Sequence, residues 1–198
     1  MKATALDPDT LTPGARRVLD SASELFYERG ITAVGVDLIA QHSGVTKRTL
    51  YNRFGSKETL VATYLLARDR RWRAHVADAL ETPDLSPGER VTVPFRALRE
   101  WMRGNPRGCA FINALAELPD PEHPGHQVAA DQQQWLLELF TSLATDAGLR
   151  TPDDLAHQLL CLYEGALAVQ VPATTRSSAE TVGDAAAVLV RAAAPSNP

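Results

Sequence analysis

The stretch TKRTLYNRFGSKETL, residues 46–60, concentrates four cationic side chains: Lys47, Arg48, Arg53 and Lys57. Ammonium and guanidinium groups form charge-assisted hydrogen bonds with phosphate oxygens. Asn52, which lies between these cations, adds donors and acceptors that read base edges in a DNA groove, and the hydroxyl of Tyr51 suits a phosphate or sugar contact. The residue types therefore suit contact with a nucleic acid, although a run of charges alone is also typical of a solvated helix face.

Only the first third of the chain has a net positive charge. The 198 residues carry a net charge of −4. Residues 1–73 hold 12 Lys and Arg against 8 Asp and Glu, whereas residues 74–198 hold 8 against 16. The net negative charge of the whole chain argues against a nucleic-acid coat protein, and the locally basic first third indicates a small site for an anionic partner there.

The cationic stretch lies in a pattern that predicts a helix-turn-helix, two short helices joined by a glycine-containing turn. The helices are predicted at about residues 36–42 and 46–53, with Ala40 small where the backbones approach and Gly44 supplying a positive φ in the turn. The predicted inner face consists of Ile39, Val45, Leu50 and Phe54. The predicted DNA-binding residues are those facing outward and the lysine that starts the next helix: Thr46, Lys47, Arg48, Thr49, Tyr51, Asn52 and Lys57.

Helical periodicity and helix caps continue through the rest of the chain, which predicts an all-α fold of about nine helices. Thr12 and Gly30 are predicted to bound the first helix, and Ser56 to cap a long helix that reaches about Leu80. Two capping boxes each predict a helix start: Ser86 with Glu89, and Ser177 with Glu180. The helix after Ser86 is predicted to reach about residue 103, and the others to cover about residues 109–118, 126–147 and 151–172.

The composition favours a cytoplasmic protein. No apolar run approaches the ~20 residues of a membrane span, and the N-terminal residues contain no apolar stretch of signal-peptide length. The two cysteines, Cys109 and Cys161, are too few for a disulfide framework. We therefore expect them to be free thiols in a reducing compartment.

Residues 30–60, GITAVGVDLIAQHSGVTKRTLYNRFGSKETL, resemble the DNA-binding domain of TetR-family transcriptional repressors. The similarity extends back through the first helix, ARRVLDSASELFYERG, and the most family-specific features are Leu50-Tyr51, Phe54 and Ser56-Lys57. Residues 107–125, RGCAFINALAELPDPEHPG, are similar to a ligand-domain segment of many members. One position departs from the family pattern: Gly35 stands where members usually carry a Thr that caps the short helix and touches a phosphate, and Thr32 is an alternative for that contact.

The resemblance implies two domains. Residues 1–55 are expected to form the N-terminal helix-turn-helix DNA-binding domain, and residues 56–198 a helical ligand-binding and dimerisation domain, in which residues 56–80 are the connecting helix. It also implies a homodimer on a palindromic operator, joined through the last two helices, whose apolar faces independently allow it. The predicted dimer-interface residues are Leu155, Leu159, Leu162, Ala166, Val182, Ala186 and Leu189. Packing within a single chain is the alternative for this set.

Aromatic and polar side chains are mixed in the middle helices, a composition typical of a small-molecule pocket. The predicted residues of an effector pocket are Phe95, Trp101, Met102, Phe111, Asn113, Trp135, Tyr163 and Glu164. Core packing explains any one of them singly, but the resemblance favours a pocket for the set. Asn113 is the most informative member, because an amide on an otherwise apolar helix needs hydrogen-bond partners.

Two further features could carry chemistry. Cys109 is a candidate redox or electrophile sensor, but no second cysteine is close in sequence to resolve an oxidised form, so a buried thiol is favoured. Glu122, His123 and His126 share one loop, but a metal site requires further ligands at rigid spacing, so a solvated loop is favoured. The sequence predicts neither a metal nor another cofactor.

The leading hypothesis is a ligand-responsive transcriptional regulator, expected to be a repressor, that binds double-stranded DNA. One alternative is an all-helical ligand-binding protein or enzyme without DNA binding, and another is a helix-turn-helix protein that binds a protein partner. The sequence contains no phosphate loop, no nucleophile elbow and no acid–base pair at telling spacing, so no enzymatic activity is expected. Salt-dependent binding to duplex DNA distinguishes these hypotheses.

Overall fold

The computed structural model describes residues 3–105, 107–169 and 177–195. Within these ranges all regular secondary structure is helical, which confirms the predicted all-α class. A 3-10 turn at Pro8–Thr10 precedes nine α-helices in the described residues. These are α1 (Pro13–Arg29), α2 (Val36–Ser43), α3 (Lys47–Phe54), α4 (Lys57–Leu80), α5 (Pro87–Arg103), α6 (Ala110–Glu117), α7 (Pro124–Asp146), α8 (Pro152–Ala168) and α9 (Ser178–Ala193). None of them, as far as the structure describes the chain, combines the length and hydropathy that crossing a membrane requires.

Side-chain caps set several helix starts at the positions predicted from the sequence. At the start of α1, Thr12 Oγ1 accepts a hydrogen bond from Ala15 N at 3.4 Å. Two capping boxes open α5 and α9, in each of which a serine and a glutamate accept from one another's backbone N–H: Ser86 with Glu89, and Ser177 with Glu180. These bonds satisfy N–H groups that the first turn of a helix leaves without intrahelical partners.

One helix start differs from the prediction. α7 begins at Pro124, before the predicted start near His126, because the fixed φ of proline and its missing N–H suit the first turn of a helix. α8 ends at Ala168. The predicted end near Val171–Pro172 lies outside the described residues.

The chain divides into two compact units, each made of two stretches. The first consists of Met1–Arg71 and Cys109–Gln132, and the second of Trp72–Gly108 and Gln133–Pro198. α4 and α7 therefore contribute residues to both. The functional division predicted at residue 55 rests on a different criterion and stays a prediction.

The first unit has an aliphatic core shared by α1 to α4 and α6. Its fully buried members include Val18, Ala22, Ile39, Leu50, Leu60 and Leu65. Ala110, Phe111 and Ala114 of α6 join the same cluster. A segment distant in sequence thus completes the core on which the helix-turn-helix rests.

The second unit has a more aromatic core. The ring centroid of Phe140 lies 5.6 Å from that of Phe95 and 6.4 Å from that of Tyr163. α9 packs against both α5 and α8, and Arg150 N donates to Ala193 O at 2.8 Å. These contacts join helices far apart in the chain around one interior.

Candidate DNA interface and effector site

The turn between α2 and α3 depends on Gly44, whose φ of 68° lies in the left-handed region. Its N–H donates to the carbonyls of Ala40 and Gln41, and Val45 N donates to Ala40 O at 3.1 Å. These bonds satisfy carbonyls at the end of α2 and reverse the chain into α3. Glycine is required here because a side chain at this φ is strained.

α3 presents one buried and one exposed face. Leu50 and Phe54 are buried together with Ile39 of α2, and Val45 is half-buried. The exposed residues at the start of α3 and along it are Thr46, Lys47, Arg48, Tyr51, Asn52 and Arg53. Thr49 is half-buried. The polar face predicted for DNA contact is therefore directed away from the core, and its binding to DNA stays a prediction.

Local hydrogen bonds hold the amino-terminal end of this face. Thr46 Oγ1 accepts from Thr49 N at 3.1 Å and lies 2.9 Å from Thr49 Oγ1. Lys47 Nζ donates to Asp37 Oδ2 at 3.0 Å, and both side chains are exposed. Because an exposed ion pair contributes at most about 1 kcal/mol, a phosphate can compete for Lys47.

Lys57, predicted to contact a phosphate at the start of α4, is turned toward the loop between α1 and α2. Its Nζ donates to Ile31 O at 2.6 Å and lies 5.9 Å from the ring centroid of Phe26. Burial lowers the pKa of the Lys57 ammonium, and the carboxylates of Glu58 and Glu117 oppose that shift. Sequence reasoning missed the partner carbonyl, which lies 26 residues away and has no local signal.

α2 begins without a side-chain cap, as the glycine at its N-cap predicted. Gly35 has extended backbone angles and offers no side-chain acceptor to the first turn. In the preceding loop, the Thr32 backbone N–H donates to Glu117 Oε2 at 2.7 Å. The contact of Thr32 with a DNA phosphate stays a prediction.

The eight residues predicted to line an effector pocket are distributed over both units. Phe111, which is buried, and Asn113, which is half-buried, belong to the first unit. The others belong to the second unit: Phe95, Trp101, Met102, Trp135, Tyr163 and Glu164.

Trp72, which sequence reasoning missed, packs against several aromatic residues of the second unit. Its ring centroid lies 5.5 Å from that of Trp101 and 6.0 Å from that of Tyr163, and His75 lies 5.6 Å from Trp101. The indole Nε1 of Trp72 is buried and has no hydrogen-bond acceptor among the described residues. A ligand with an acceptor atom within reach would satisfy this buried N–H group, and the hydrogen bond would favour its binding.

Two ionisable side chains of the second unit, Arg73 and Glu164, are half-buried. The Arg73 guanidinium lies 4.8 Å from the ring centroid of Trp135, a cation–π contact. Burial raises the pKa of the Glu164 carboxyl. The second unit therefore combines apolar rings with a few polar groups, as small-molecule sites do.

Residues 18–64 match the family model described as bacterial regulatory proteins of the tetR family. The structure superposes with a TM-score of 0.80 on a TetR-family transcriptional regulator from Streptomyces coelicolor. The two sequences are 33% identical, and the alignment covers 91% of this chain and 96% of that chain. The chain belongs to the TetR family of transcriptional regulators.

Relatives of this TetR-family regulator include proteins named for opposite effects on transcription. The chain is 26% identical to the transcriptional repressor DhaR of Mycobacterium sp. (strain GP1), over 79% of this chain and 81% of that protein. It is 27% identical to the transcriptional activator FasR of Mycolicibacterium smegmatis, over 78% of this chain and 68% of that protein.

Four of the predicted dimer-interface residues lie inside the second unit of this TetR-family chain: Leu155, Leu159, Ala166 and Ala186. Each is at most 3% exposed, so it has almost no surface to lose to a partner and belongs to the chain's own core. Leu162, Val182 and Leu189 are half-buried, while Val169 and Val188 are 50% and 53% exposed. Sequence periodicity indicates an apolar helix face without showing which neighbouring element covers it. The predicted interface set therefore includes both buried core residues and partly exposed ones.

The histidines of the α6–α7 loop have structural partners. His126 Nε2 lies 2.9 Å from Leu118 O, and His123 Nδ1 accepts from Gly125 N at 3.0 Å. Among the described residues, no three His, Cys, Asp or Glu side chains gather as a metal site. Cys109 is half-buried and forms no disulfide.

Proposed function

We propose that this TetR-family regulator binds a palindromic DNA operator as a homodimer, represses transcription there, and is released by a small-molecule effector. The observation that carries the proposal is the exposed polar face of α3, held on the buried side chains of Leu50 and Phe54. The resemblance to TetR-family repressors and the relative DhaR support repression, while the relative FasR is named as an activator. Action on bacterial DNA implies a cytoplasmic location.

Base reading is assigned to Arg48 and Asn52. They lie one helical turn apart on α3, both are exposed, and their side chains make no hydrogen bond or ion pair within the described part of the chain. A guanidinium can bond bidentately to guanine and an amide to adenine. Tyr51 is 40% exposed, and we assign its hydroxyl to a phosphate or sugar contact.

Dimerisation is assigned to the outer surfaces of α8 and α9. A palindromic operator presents two half-sites about 34–36 Å or a related multiple apart, so two recognition helices must be joined at a fixed separation. The exposed apolar side chains of Val169 and Val188 offer surface for this contact, with the half-buried Leu162, Val182 and Leu189. Sedimentation of Val188→Asp against Asp184→Asn, an exposed polar control on the same helix, tests it. Only Val188→Asp should dissociate the dimer.

Effector binding is assigned to the aromatic residues of the second unit around Trp72, Trp101 and Tyr163. Release requires a coupling of ~1–3 kcal/mol between effector and operator, which changes DNA affinity 5–150-fold. By reciprocity the operator weakens effector binding by the same factor. Calorimetric titration of a co-purified ligand, identified by mass spectrometry, into free protein and into the operator complex tests the coupling. Identical affinities in the two titrations contradict it.

The DNA-binding part of the proposal is tested by fluorescence anisotropy with labelled duplexes at several salt concentrations. The logarithm of the affinity should fall steeply and linearly with the logarithm of the salt concentration, because phosphate contacts release counterions. An operator enriched by selection from random duplexes should bind more tightly than the starting pool. Failure to bind any duplex at low salt would favour the ligand-binding or protein-binding alternatives.

A further inference from the structure

One peptide group in the loop between α1 and α2 is hydrogen-bonded to charged side chains at both of its ends. The carbonyl of Ile31 accepts from Lys57 Nζ at 2.6 Å. The N–H of Thr32 donates to Glu117 Oε2 at 2.7 Å. Because Ile31 O and Thr32 N belong to the same amide, an ammonium from α4 and a carboxylate from α6 lie at opposite ends of one peptide dipole.

This arrangement couples the two side chains electrostatically although they do not touch. A carboxylate at the N–H end polarises the amide and makes its carbonyl a stronger acceptor. An ammonium at the carbonyl end makes the N–H a stronger donor in the same way. Each charged group therefore strengthens the hydrogen bond of the other through the peptide between them.

The backbone at Gly30 leaves room for the carboxylate of Glu117. Glu117 is the last residue of α6, and a β-carbon at Gly30 would lie 2.8 Å from Glu117 Oε1. Gly30 also has a φ of 88°, which favours glycine. The glycine thus leaves room for the carboxylate beside the loop, and Gly30, Thr32, Lys57 and Glu117 all belong to the first unit.

The bond to Ile31 competes with the DNA contact assigned to Lys57. An ammonium directed at a carbonyl and toward the Phe26 ring, 5.9 Å away, has to turn outward to bind a phosphate well. We propose that Glu117 is a positioning residue for the DNA interface, which holds Lys57 inward through the Ile31–Thr32 peptide and so weakens the contact of Lys57 with phosphate. The inference rests on the proposed DNA binding of this unit.

The test uses full-length Glu117→Gln, which keeps an oxygen acceptor for Thr32 N–H and removes the charge. The variant should bind duplex DNA about twofold more tightly than the parent, because a neighbouring hydrogen bond in a chain changes the strength of a charge-assisted one by roughly 10–30%. Glu24→Gln is the matched control. Its carboxylate lies on α1, is exposed, and pairs at 4.0 Å with His42 instead of with the loop peptide, so it measures the general effect of removing one negative charge.

A double-mutant cycle with Lys57→Ala then separates positioning from simple charge. The gain of Glu117→Gln over the Glu24→Gln control should disappear in the Lys57→Ala background. A gain of the same size with and without Lys57, or weaker binding by Glu117→Gln than by the parent, overturns the inference. Absence of duplex binding by the parent would instead show failure of the proposed function.

A DNA-free measurement decides whether the coupling through the peptide exists. In the NMR spectrum of the free protein, Lys57→Ala should shift the Thr32 amide proton upfield by weakening its bond to Glu117, and leave the Gly44 amide unchanged. Glu117→Gln should shift the Thr32 proton in the same direction. An unchanged Thr32 resonance in Lys57→Ala overturns the inference whether or not the parent binds DNA.

Discussion

The exposed surface of the helix-turn-helix in the first unit and the aromatic interior of the second unit offer different interactions. Lys47 and Asp37 pair across α2 and α3 at the exposed surface, whereas Phe95, Phe140 and Tyr163 meet ring to ring in the interior. Exposed charges interact through a field that salt screens, while buried rings depend on area removed from water. We therefore expect added salt to weaken binding at the surface of the helix-turn-helix, and the size and shape of a ligand to determine binding at the aromatic interior.

The largest effect should come from removing the core beneath the polar face. Leu50 is fully buried, so Leu50→Ala should lower the free energy of unfolding by about 2–5 kcal/mol through lost burial and a cavity. Tyr51→Ala is the control one residue away, because Tyr51 is 40% exposed. It should change stability by less than about 0.5 kcal/mol yet weaken duplex binding. Urea denaturation followed by circular dichroism measures the free energy of unfolding of both variants. Equal losses of stability for the two would contradict the assignment of Leu50 to the buried face and Tyr51 to the exposed face of α3.

Base reading should give the next largest effect. Arg48→Ala or Asn52→Ala should each cost ~1–3 kcal/mol in operator affinity and relax the preference at particular base pairs. Arg103→Ala is the control, since it removes an exposed arginine of the second unit and should leave the preference unchanged. Selection from random duplexes reports the preferred sequence. If both Arg48→Ala and Asn52→Ala select the parental motif, these residues do not read bases.

A smaller effect is expected at Lys57. Lys57→Ala should weaken binding to all duplexes about equally and flatten the slope of log affinity against log salt by roughly one ion per site, because one phosphate contact is lost. Anisotropy titrations at four or more salt concentrations measure the slope. Identical slopes for variant and parent would mean that the ammonium stays on the Ile31 carbonyl when DNA is bound.

The smallest effect concerns the uncapped start of α2. At Gly35 the φ is −81° and an added β-carbon meets no atom within 4 Å, so Gly35→Thr should stabilise the protein by about 0.5 kcal/mol through a new side-chain cap. Gly44→Ala is the contrasting change, because its site is equally open but has a φ of 68°. It should destabilise by roughly 1–2 kcal/mol. Thermal unfolding measures both, and equal signs for the two changes would contradict the backbone argument.

Much of the helix-turn-helix could be predicted because the residues that determine it are close together in the sequence. The Thr46 cap, the Gly44 turn and the buried Leu50 lie within a few residues of one another, and each has a residue type that suits only a few roles. The partners of Lys57 could not be predicted in this way, because Ile31 lies 26 residues away and is contacted through its backbone. Glu117 and Thr32 are separated by 85 residues, so only the folded chain brings them together.

The second unit was harder to predict for a related reason. Leu159 and Ala186 carry the apolar character that an interface and a core share, and only the positions of neighbouring helices show that both are internal. Trp72 carried no signal because an aromatic residue in a long helix is ordinary until Trp101 and Tyr163 are placed against it. Sequence thus indicated which helix faces are apolar, while the fold determines what covers them.

The central claim, that DNA binds the exposed face of α3 and the start of α4, can be tested by lysine footprinting. The chain contains three lysines, Lys2, Lys47 and Lys57. Two lie in the candidate interface, and Lys2, which is outside the described residues, serves as the internal reference. The protein would be acetylated with and without saturating selected operator, and each lysine quantified by mass spectrometry. We expect operator to slow acetylation of Lys47 and Lys57 relative to Lys2, and unchanged relative rates with the operator bound would contradict the claim.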